Sequence, residues 1–336
     1  MASTTPPTIT TTIIKEIVSD MGTLIRFFND GTLERPLQSP FVPPMLNEPQ
    51  TGLSSKDIVI SHNPTISARL YLPNLPNSKE QCQAEKVPIL VYFHGGGFLI
   101  ESPFSQLYHG HFRTFVPHAN VIVVSVEYRL APEHSLPACY DDCWAALKWV
   151  SSHSTKSPSN TESWLVDHGD FNRIFIGGDS AGGNIAHNIA MRAGTESLPG
   201  DVKILGAILS HPYFYSSSPI GSEPVTEHEK NFCYTIWDLV YPSAPGGIDN
   251  HVVNPVGAGA PSLGGLGCCR IIVCVAGKDR LRDRGVWYYE AVKKSGWQGK
   301  LELFEEKDEG HVYHLFDPDC ENTNKFIKRL ASFLQE

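Results

Sequence analysis

Five short segments of the chain are apolar almost throughout and rich in β-branched side chains. They are PILVYFH (88–94), VIVVSV (121–126), RIFIGG (173–178), ILGAILS (204–210) and IIVCVAG (271–277). A strand with one face in water alternates polar and apolar residues, whereas a central strand of a parallel sheet is buried on both faces and does not. These segments therefore predict the central strands of a parallel sheet, and no other feature constrains the fold as much.

Patterns of helical period separate these segments. Apolar side chains recur at three- and four-residue spacing between 138 and 151, after Pro137, and again between 326 and 334. This spacing places them on one face of an amphipathic helix, and proline suits a first helical turn. Upstream, DIVI (57–60) and ISARLYL (66–72) flank an Asn-Pro turn and predict two exposed antiparallel strands. Strands that alternate with helices in this way predict a doubly wound α/β sheet.

Two regions fall outside this alternation and predict a cap over the sheet. Residues 1–55 precede the first strand, and residues 211–262 follow the strand at 204–210 and are rich in aromatic side chains. In α/β folds ligands bind beyond the carboxyl ends of the strands, so an insertion there covers them. Because no repeat or Gly/Ser linker divides the chain, we predict one domain over residues 1–336, with a cap from about 1–50 and about 211–262.

Charge and cysteine content disfavour several classes of partner. The chain carries 27 basic and 36 acidic residues, a formal net charge of −9, which argues against nucleic acid and anionic lipid. No stretch approaches the roughly 18 apolar residues that span a bilayer, and the N-terminal sequence lacks the pattern of a secretory signal. The eight cysteines include no C-x-x-C pair, so we predict neither a zinc site nor a disulfide framework. We expect a cytoplasmic protein without a metal, and no pattern indicates an oligomeric state.

The segment GGDSAGGN (177–184) follows the strand at 173–178 and begins a helical pattern. Glycines at 178 and 182 flank Ser180, and this strand–turn–helix context is the one that a nucleophile elbow requires. The helix N-terminus favours an anion that develops beside the serine, although glycine-rich turns of this kind also bind phosphate. Ser180 is therefore our candidate nucleophile.

A second glycine-rich loop, HGGGF (94–98), follows the strand at 88–94. Successive glycines lose much conformational entropy on folding, but their backbone N–H groups are able to approach a ligand closely. We assign Gly96 and Gly97, together with Ala181 after the serine, as donors of an oxyanion hole. The alternative is a plain loop without a ligand.

A nucleophilic serine needs a base, and the base needs an orienting acid, in the chain order Ser, Asp, His. Asp279 comes just after the strand at 271–277, and we assign it as the acid. His311 lies between KLELFEE (300–306), a predicted last strand, and the final helix, and we assign it as the base. The chain offers fourteen histidines, so position rather than residue type decides this choice.

Two further residues are the alternatives for these roles. Asp283 lies four positions after Asp279, where the following helix is expected to aim it elsewhere. His314 is close in sequence to His311 and is expected to pack or to hydrogen-bond near the site. His187, on the helix after the serine, is expected to be structural.

Five motifs together resemble the plant carboxylesterase family, in the hormone-sensitive-lipase branch of the α/β-hydrolases. They are HGGGF (94–98), VSVEYRLAPEH (124–134), GGDSAGGNIAHN (177–188), VAGKDRLRDRG (275–285) and EGHVYHLF (309–316). The resemblance implies the α/β-hydrolase fold, with a cap built partly from the N-terminal segment. It also implies that Ser180, Asp279 and His311 are nucleophile, acid and base, with an oxyanion hole from the HGGG glycines and the residue after the serine.

Four other stretches resemble a specialised branch of this family, the legume 2-hydroxyisoflavanone dehydratases. They are KDIVISHNPTISARLYLP (56–73), PIGSEPVTEHEK (219–230), YPSAPGGIDN (241–250) and KKSGWQGKLELF (293–304). Those enzymes carry threonine where this chain has Ser180, and SGAN where it has AGGN, so the resemblance favours ester hydrolysis over dehydration here. Gibberellin receptors of the same superfamily lack the catalytic histidine, which this chain keeps as His311.

We therefore expect a serine carboxylesterase that acts, without a cofactor, on small acyl esters of plant metabolites. One alternative is a lyase that dehydrates a 2-hydroxyisoflavanone or similar flavonoid at the same site; another is a small-molecule binder without turnover. Aromatic side chains of the cap suit an apolar or aromatic ligand, although they also suit the cap's own core. We assign a substrate pocket to Phe98, Tyr213, Phe214, Trp237 and His314.

Overall fold

The computed structural model describes residues 15–75, 86–155, 161–226 and 232–336. It divides into two compact units, Met1–Gln38 and Ser39–Glu336. In the first unit a small antiparallel sheet contains β1 (Ile17–Asp20), β2 (Arg26–Phe28) and β3 (Leu33–Glu34). Residues 1–14 of the predicted N-terminal cap segment lie outside the described residues, and the cap stays a prediction.

Within the described part of the second unit, eight strands form one mostly parallel sheet. They are β4 (Ser54–His62), β5 (Thr65–Leu72), β6 (Val87–Phe93), β7 (Ile122–Glu127), β8 (Gly169–Asp179), β9 (Ile204–Ser210), β10 (Cys268–Ala276) and β11 (Lys300–Glu306). Their order across the sheet is β11-β10-β9-β8-β6-β7-β5-β4, in which only β5 and β4 run antiparallel to their neighbours. Each of the five apolar segments overlaps one of the central strands β6 to β10, so the predicted α/β sheet is confirmed.

Helices cover both faces of this sheet. They are α1 (Gln106–Ala119), α2 (Ala138–Ser152), α3 (Ser163–His168), α4 (Ala181–Ala193), α5 (Phe232–Val240), α6 (Arg282–Lys294), α7 (Tyr313–Phe316) and α8 (Glu321–Gln335). The first and last helices, α1 and α8, share one hydrophobic core with α7 and the strands, while α2 packs on α4, which lies against β8 and β9. Both amphipathic helices predicted from periodicity, α2 and α8, are present. None of the helices in the described residues is long and apolar enough to cross a membrane.

The hairpin of β4 and β5 departs from prediction in its burial. Its strands are antiparallel, as expected, and β4 alternates between exposed and partly buried positions. In β5, however, the side chains from Ala68 to Tyr71 are all buried: α1 packs on Tyr71 through His109 and Phe112, and Arg69 meets Val42 and Phe104. Arg69 among them is 1% exposed and its Nε and Nη2 donate to the two carboxylate oxygens of Asp57, 2.6 and 2.8 Å away. The prediction of an exposed strand was wrong for β5.

Helix α4 begins in very close contact with the end of β6. A Cβ atom placed on Gly182 would lie 1.9 Å from the carbonyl oxygen of Phe93, and one on Gly178 would lie 2.4 Å from the same oxygen. No side chain fits at such distances, so glycine at both positions lets the helix start directly against the strand. This contact places the turn between β8 and α4 at the carboxyl edge of the sheet.

We expect Gly182→Ala to lower the free energy of unfolding by at least about 3 kcal/mol, because the new methyl group meets fixed backbone. Gly110→Ala is the matched control: Gly110 lies inside α1, and its added Cβ would have no neighbour within 4 Å. That variant should gain about 0.5–1 kcal/mol, the usual helix preference of alanine over glycine. Urea denaturation measures both, and equal losses would contradict the steric explanation.

Candidate active site

Ser180 occupies a strained turn between β8 and α4. Its φ of +53° and ψ of −116° fall outside the regions that residues with a Cβ ordinarily adopt. Its backbone is fixed on both sides, since its N–H donates to the carbonyl of Ser210 (2.8 Å) and its carbonyl accepts from Tyr213 (2.9 Å) and Asn184 (3.1 Å). The serine is 8% exposed and is therefore nearly buried.

The structure brings together the three residues that sequence assigned as nucleophile, base and acid. His311 Nε2 lies 2.9 Å from Ser180 Oγ, and His311 Nδ1 lies 2.7 Å from Asp279 Oδ2. The His311 side chain is 37% exposed, whereas that of Asp279 is 2% exposed. A partly exposed imidazole therefore joins the serine hydroxyl to a buried carboxylate. This is the geometry in which a base accepts a proton from serine while the acid holds its tautomer.

Three donors converge on the Asp279 carboxylate. Oδ1 accepts from the backbone N–H of Leu281 (2.9 Å), and Oδ2 accepts from His311 Nδ1 (2.7 Å) and from His211 Nδ1 (3.2 Å). Burial works against the charged form, but hydrogen bonds from His211 and His311 outweigh it and lower the pKa of Asp279. Because an ionised carboxylate only accepts, both imidazoles present Nδ1–H to it. His311 Nε2 is then left with its lone pair toward Ser180.

Sequence reasoning missed His211, although a signal was present. His211 directly follows the strand at 204–210, and a position just after a central strand was the criterion that selected Asp279. Its side chain is 1% exposed, and burial lowers its pKa, so the ring is neutral beside the carboxylate. The rings of His311 and His211 lie edge to face with centroids 5.8 Å apart.

The HGGG loop adopts backbone conformations that favour glycine. Gly96 and Gly97 have φ of +96° and +65°, and a Cβ on Gly96 would lie 2.3 Å from the carbonyl oxygen of Ile100. A Cβ on Gly95 would lie 2.3 Å from Asp179 Oδ2, so the loop runs directly against the residue before Ser180. Ala181 is the first residue of α4, where backbone N–H groups lack helical partners. That Gly96, Gly97 and Ala181 bind an oxyanion stays a prediction.

A buried carboxylate, Asp179, links this loop to the elbow. The hydroxyl of Tyr92 donates to its Oδ1 (2.8 Å), and that of Tyr108 lies 3.0 and 2.9 Å from its two oxygens. Tyr108 Oη in turn accepts from the backbone N–H of Gly95 (2.5 Å). Burial raises the pKa of Asp179 to about 6, against the opposing effect of the tyrosine hydrogen bonds. The two glycine-rich motifs are therefore held together by one network of buried polar groups.

The five residues assigned to a substrate pocket are each at most 2% exposed. Phe98 packs against Tyr213 with ring centroids 5.9 Å apart, close to the elbow, since Tyr213 N–H donates to Ser180. Trp237 Nε1 donates to the carbonyl of Gly247 (2.9 Å). Phe214 lies between His187 and Tyr288, and His314 stacks on His211 and Phe326. Contact of any of them with a substrate stays a prediction.

The alternative acid and the other helical histidine lie elsewhere, as expected. Asp283, on α6, accepts from the backbone N–H and hydroxyl of Ser222 (2.7 and 2.8 Å) and from Arg282 (2.7 Å). His187 Nδ1 lies 2.9 Å from the hydroxyl of Tyr288, and burial lowers its pKa to about 3. Neither replaces Asp279 or His311 in the hydrogen-bonded chain.

The insertion 211–262 is attached to α6 by a buried arginine. Arg284 is fully buried, and its Nε and Nη2 lie 2.6 Å from the two carboxylate oxygens of Glu223. It also donates to Ser216 Oγ (2.6 Å) and to the carbonyl of Ser218 (2.8 Å). The segment 216–223 is thereby fixed to the helix that follows Asp279.

Three side chains of the described residues also have the spacing of metal ligands. One ligand atom from each of His211, Asp279 and His311 lies within 4.8 Å of the others, a spacing compatible with a metal ion. The hydrogen bonds among these atoms already account for their approach. A cavity of about 680 Å³ lies beside α1, lined by residues of 39–51, 106–118 and 315–319, and Ser180 is not part of its wall.

The sequence and the fold of this chain are similar to those of several known proteins. A family model for the alpha/beta hydrolase fold matches residues 90–315. A 2-hydroxyisoflavanone dehydratase of Glycyrrhiza echinata is 55% identical over 99% of this chain and 100% of that protein, and probable carboxylesterase 1 of Arabidopsis thaliana is 45% identical over 96% and 98%. An esterase structure from Pyrobaculum calidifontis superposes with a TM-score of 0.65 at 28% identity, covering 83% of this chain and 84% of that one.

The raised pKa of Asp179 predicts a pH-dependent stability difference between the wild type and Asp179→Asn. The folded state holds the proton up to about pH 6, whereas the unfolded chain releases it near 3.8, so the contribution of this group falls as pH rises between these values. Asparagine does not titrate. From pH 4 to 7, the free energy of unfolding of the variant should therefore rise by about 2–3 kcal/mol relative to the wild type.

Urea denaturation at the two pH values measures this difference. Asp283→Asn is the control, because the pKa of Asp283 is lowered by hydrogen bonds from Ser222, which outweigh its burial. That carboxylate is already ionised above pH 4 in the folded and the unfolded chain. The free energy of unfolding of Asp283→Asn should therefore not rise relative to that of the wild type over this pH range. A flat result for Asp179→Asn would show that its carboxylate ionises normally.

Proposed function

The chain belongs to the α/β-hydrolase fold family, and we propose that within it the chain is a serine carboxylesterase. Its substrates are small acyl esters of plant metabolites, encountered in the cytoplasm. The observation that carries the proposal is the continuous hydrogen-bonded chain from Ser180 through His311 to Asp279. Relatives named as carboxylesterase and esterase, on the same fold, agree with it.

The first half of the reaction acylates the serine. His311 Nε2 takes the proton of Ser180 Oγ, which attacks the ester carbonyl and forms a tetrahedral oxyanion. N–H groups of Gly96, Gly97 and Ala181 bind that oxyanion; one such donor contributes about 10²–10³-fold in rate in comparable enzymes. The intermediate collapses, the C–O bond to the alcohol breaks, and the alcohol leaves with the proton from His311.

The second half releases the acid. A water molecule gives a proton to His311 and attacks the acyl carbonyl. The bond between the acyl carbon and Ser180 Oγ then breaks, the acid leaves, and His311 returns its proton to the serine oxygen. Asp279 stays ionised throughout and stabilises the imidazolium that forms in each half. The lowered pKa of this buried carboxylate suits that role, because it accepts hydrogen bonds without taking up a proton. Every group in the scheme belongs to the chain, the ester or water, so no cofactor is required.

The neighbourhood of the serine suits an ester with an apolar or aromatic part. Phe98 and Tyr213 lie next to the elbow, and the insertion 211–262 supplies further aromatic side chains, including Trp237. Aromatic surface binds apolar groups through the area that it removes from water. A small-molecule ester or flavonoid-like compound is therefore the proposed partner.

We expect Ser180→Ala to abolish hydrolysis of p-nitrophenyl butyrate, because no other hydroxyl replaces the nucleophile. The loss in kcat should approach the ~10⁶-fold that removal of a triad serine causes in comparable enzymes. Ser332→Ala, an exposed serine on α8, is the control and should keep full activity. Steady-state turnover measured by release of p-nitrophenol gives the answer, and wild-type turnover by the Ser180 variant would refute the assignment.

The second candidate function is dehydration of a 2-hydroxyisoflavanone at the same site, favoured by the 55% identity with a dehydratase. His311 would take the proton from the carbon next to the ketone, and the donors around Ser180 would hold the enolate. The C–O bond to the 2-hydroxyl then breaks, and the hydroxyl leaves as water with a proton passed through Ser180 from His311. In this scheme the serine forms no covalent bond.

This difference allows one pair of variants to separate the two functions. If the chain dehydrates, Ser180→Ala should retain a measurable rate of isoflavone formation, about 10–100-fold reduced, while hydrolysis of the p-nitrophenyl ester disappears. His311→Ala should lose both activities, since each needs the base. Isoflavone formation by the wild type that does not exceed the spontaneous rate would eliminate this candidate.

A further inference from the structure

We propose that His211 is a positioning residue of the active site, whose Nδ1–H holds the Asp279 carboxylate in the orientation that presents Oδ2 to His311. The inference rests on the proposed function, because it concerns the same hydrogen-bonded chain. It assigns to a second histidine, which directly follows β9, a part in catalysis without contact with the serine or the substrate.

The first support is the distribution of donors around the carboxylate. Oδ1 has one donor, the backbone N–H of Leu281 in the same loop, 2.9 Å away. Oδ2 has two, His311 Nδ1 at 2.7 Å and His211 Nδ1 at 3.2 Å. His311 lies on a loop and is more than one-third exposed, so it is less enclosed than the carboxylate that it contacts. His211 is the buried side-chain donor, 1% exposed, and it directly follows β9.

The second support is how firmly His211 itself is held. It directly follows β9, and its N–H donates to the carbonyl of Cys274 on β10 (2.7 Å). Its ring stacks on His314, with centroids 5.7 Å apart and an interplanar angle of 23°. Tyr313 meets it edge to face, with centroids 5.9 Å apart. The imidazole is therefore confined to an orientation in which Nδ1 faces Asp279.

The third support is the hydrogen bonding of the two ring nitrogens of His211. In the part of the chain that the structure describes, His211 Nε2 has no hydrogen-bond partner, so Asp279 is the polar contact of this imidazole. The titratable groups that face the ring are Asp279, His311, His314 and Tyr313. Burial and the nearby His311 favour the neutral ring, which donates one hydrogen bond and adds no charge.

Loss of this donor has two consequences for turnover. The carboxylate gains freedom to rotate, so His311 is less often aligned with Ser180, and kcat falls while substrate binding is little changed. A carboxylate with fewer donors is also a stronger acceptor for the remaining imidazole. It therefore stabilises the protonated form of His311, which cannot act as the base. As the pH is lowered, kcat should then begin to fall at a higher pH than in the wild type.

The test compares two variants of nearly the same shape. His211→Asn keeps a donor close to the position of Nδ1, and asparagine tolerates the φ of +47° at this position. His211→Leu fills similar space without a donor. We expect the leucine variant to lose about tenfold in kcat, with KM changed less than about twofold. The pH at which kcat falls to half its maximum on the acidic side should rise by about half a pH unit. The asparagine variant should restore most of kcat and the wild-type value of this pH.

His187→Asn is the control for the loss of any buried histidine, since His187 Nδ1 also makes a buried hydrogen bond, with Tyr288, away from Asp279. It should lower the melting temperature without moving the pH profile. If the His211→Leu variant does not fold, His211→Gly takes its place in the comparison with His211→Asn, because glycine permits the same φ.

A donor-free variant with lower stability but a wild-type pH profile and kcat would overturn the positioning role. The two proposals fail separately. If Ser180→Ala is inactive and the donor-free variants behave as the wild type, only the role of His211 is wrong; if Ser180→Ala stays active, the proposed function is wrong.

Discussion

The contact between the start of α4 and the end of β6 fixes the turn that carries Ser180 and the loop beside it, and His311 and Asp279 meet the serine at that turn. With no side chain at 178 or 182, the helix begins against the carbonyl of Phe93, and Ser180 is forced into a backbone conformation that serine would not otherwise adopt. The same approach brings the HGGG loop, which continues from β6, against Asp179. Ser180 and the HGGG loop are thus neighbours because two glycines allow two elements to touch.

Charge in the buried part of the site is confined to two carboxylates with opposite environments. Asp179 has two tyrosine hydroxyls and a raised pKa, so it behaves as a structural link between loops. Asp279 has two imidazoles and a backbone N–H and stays ionised. The pKa values of His211 and His314 are lowered by burial, so these rings add no positive charge that would compete with a protonated His311. The environment of each carboxylate, and not its residue type, separates the two roles.

Sequence patterns predicted the features that depend on periodicity and chain order, and missed those that depend on which elements are neighbours in the fold. Uniformly apolar segments located the central strands, and the positions of Ser180, Asp279 and His311 after strands or before a helix identified side chains that meet at one edge. The burial of β5 was not predicted, because alternation in sequence does not reveal that α1 packs on this strand. His211 was missed although it also directly follows a central strand, because periodicity does not report that β9 and β10 are neighbours and bring it beside Asp279.

The attachment of the insertion to α6 depends on one buried side chain. Arg284 holds the segment 216–223 through one carboxylate, one hydroxyl and one carbonyl, and the helix that carries it begins shortly after Asp279. Arg284 therefore ties the position of this segment to the helix that follows Asp279, so a change at that one side chain would release the segment while the hydrogen bonds among Ser180, His311 and Asp279 keep their partners.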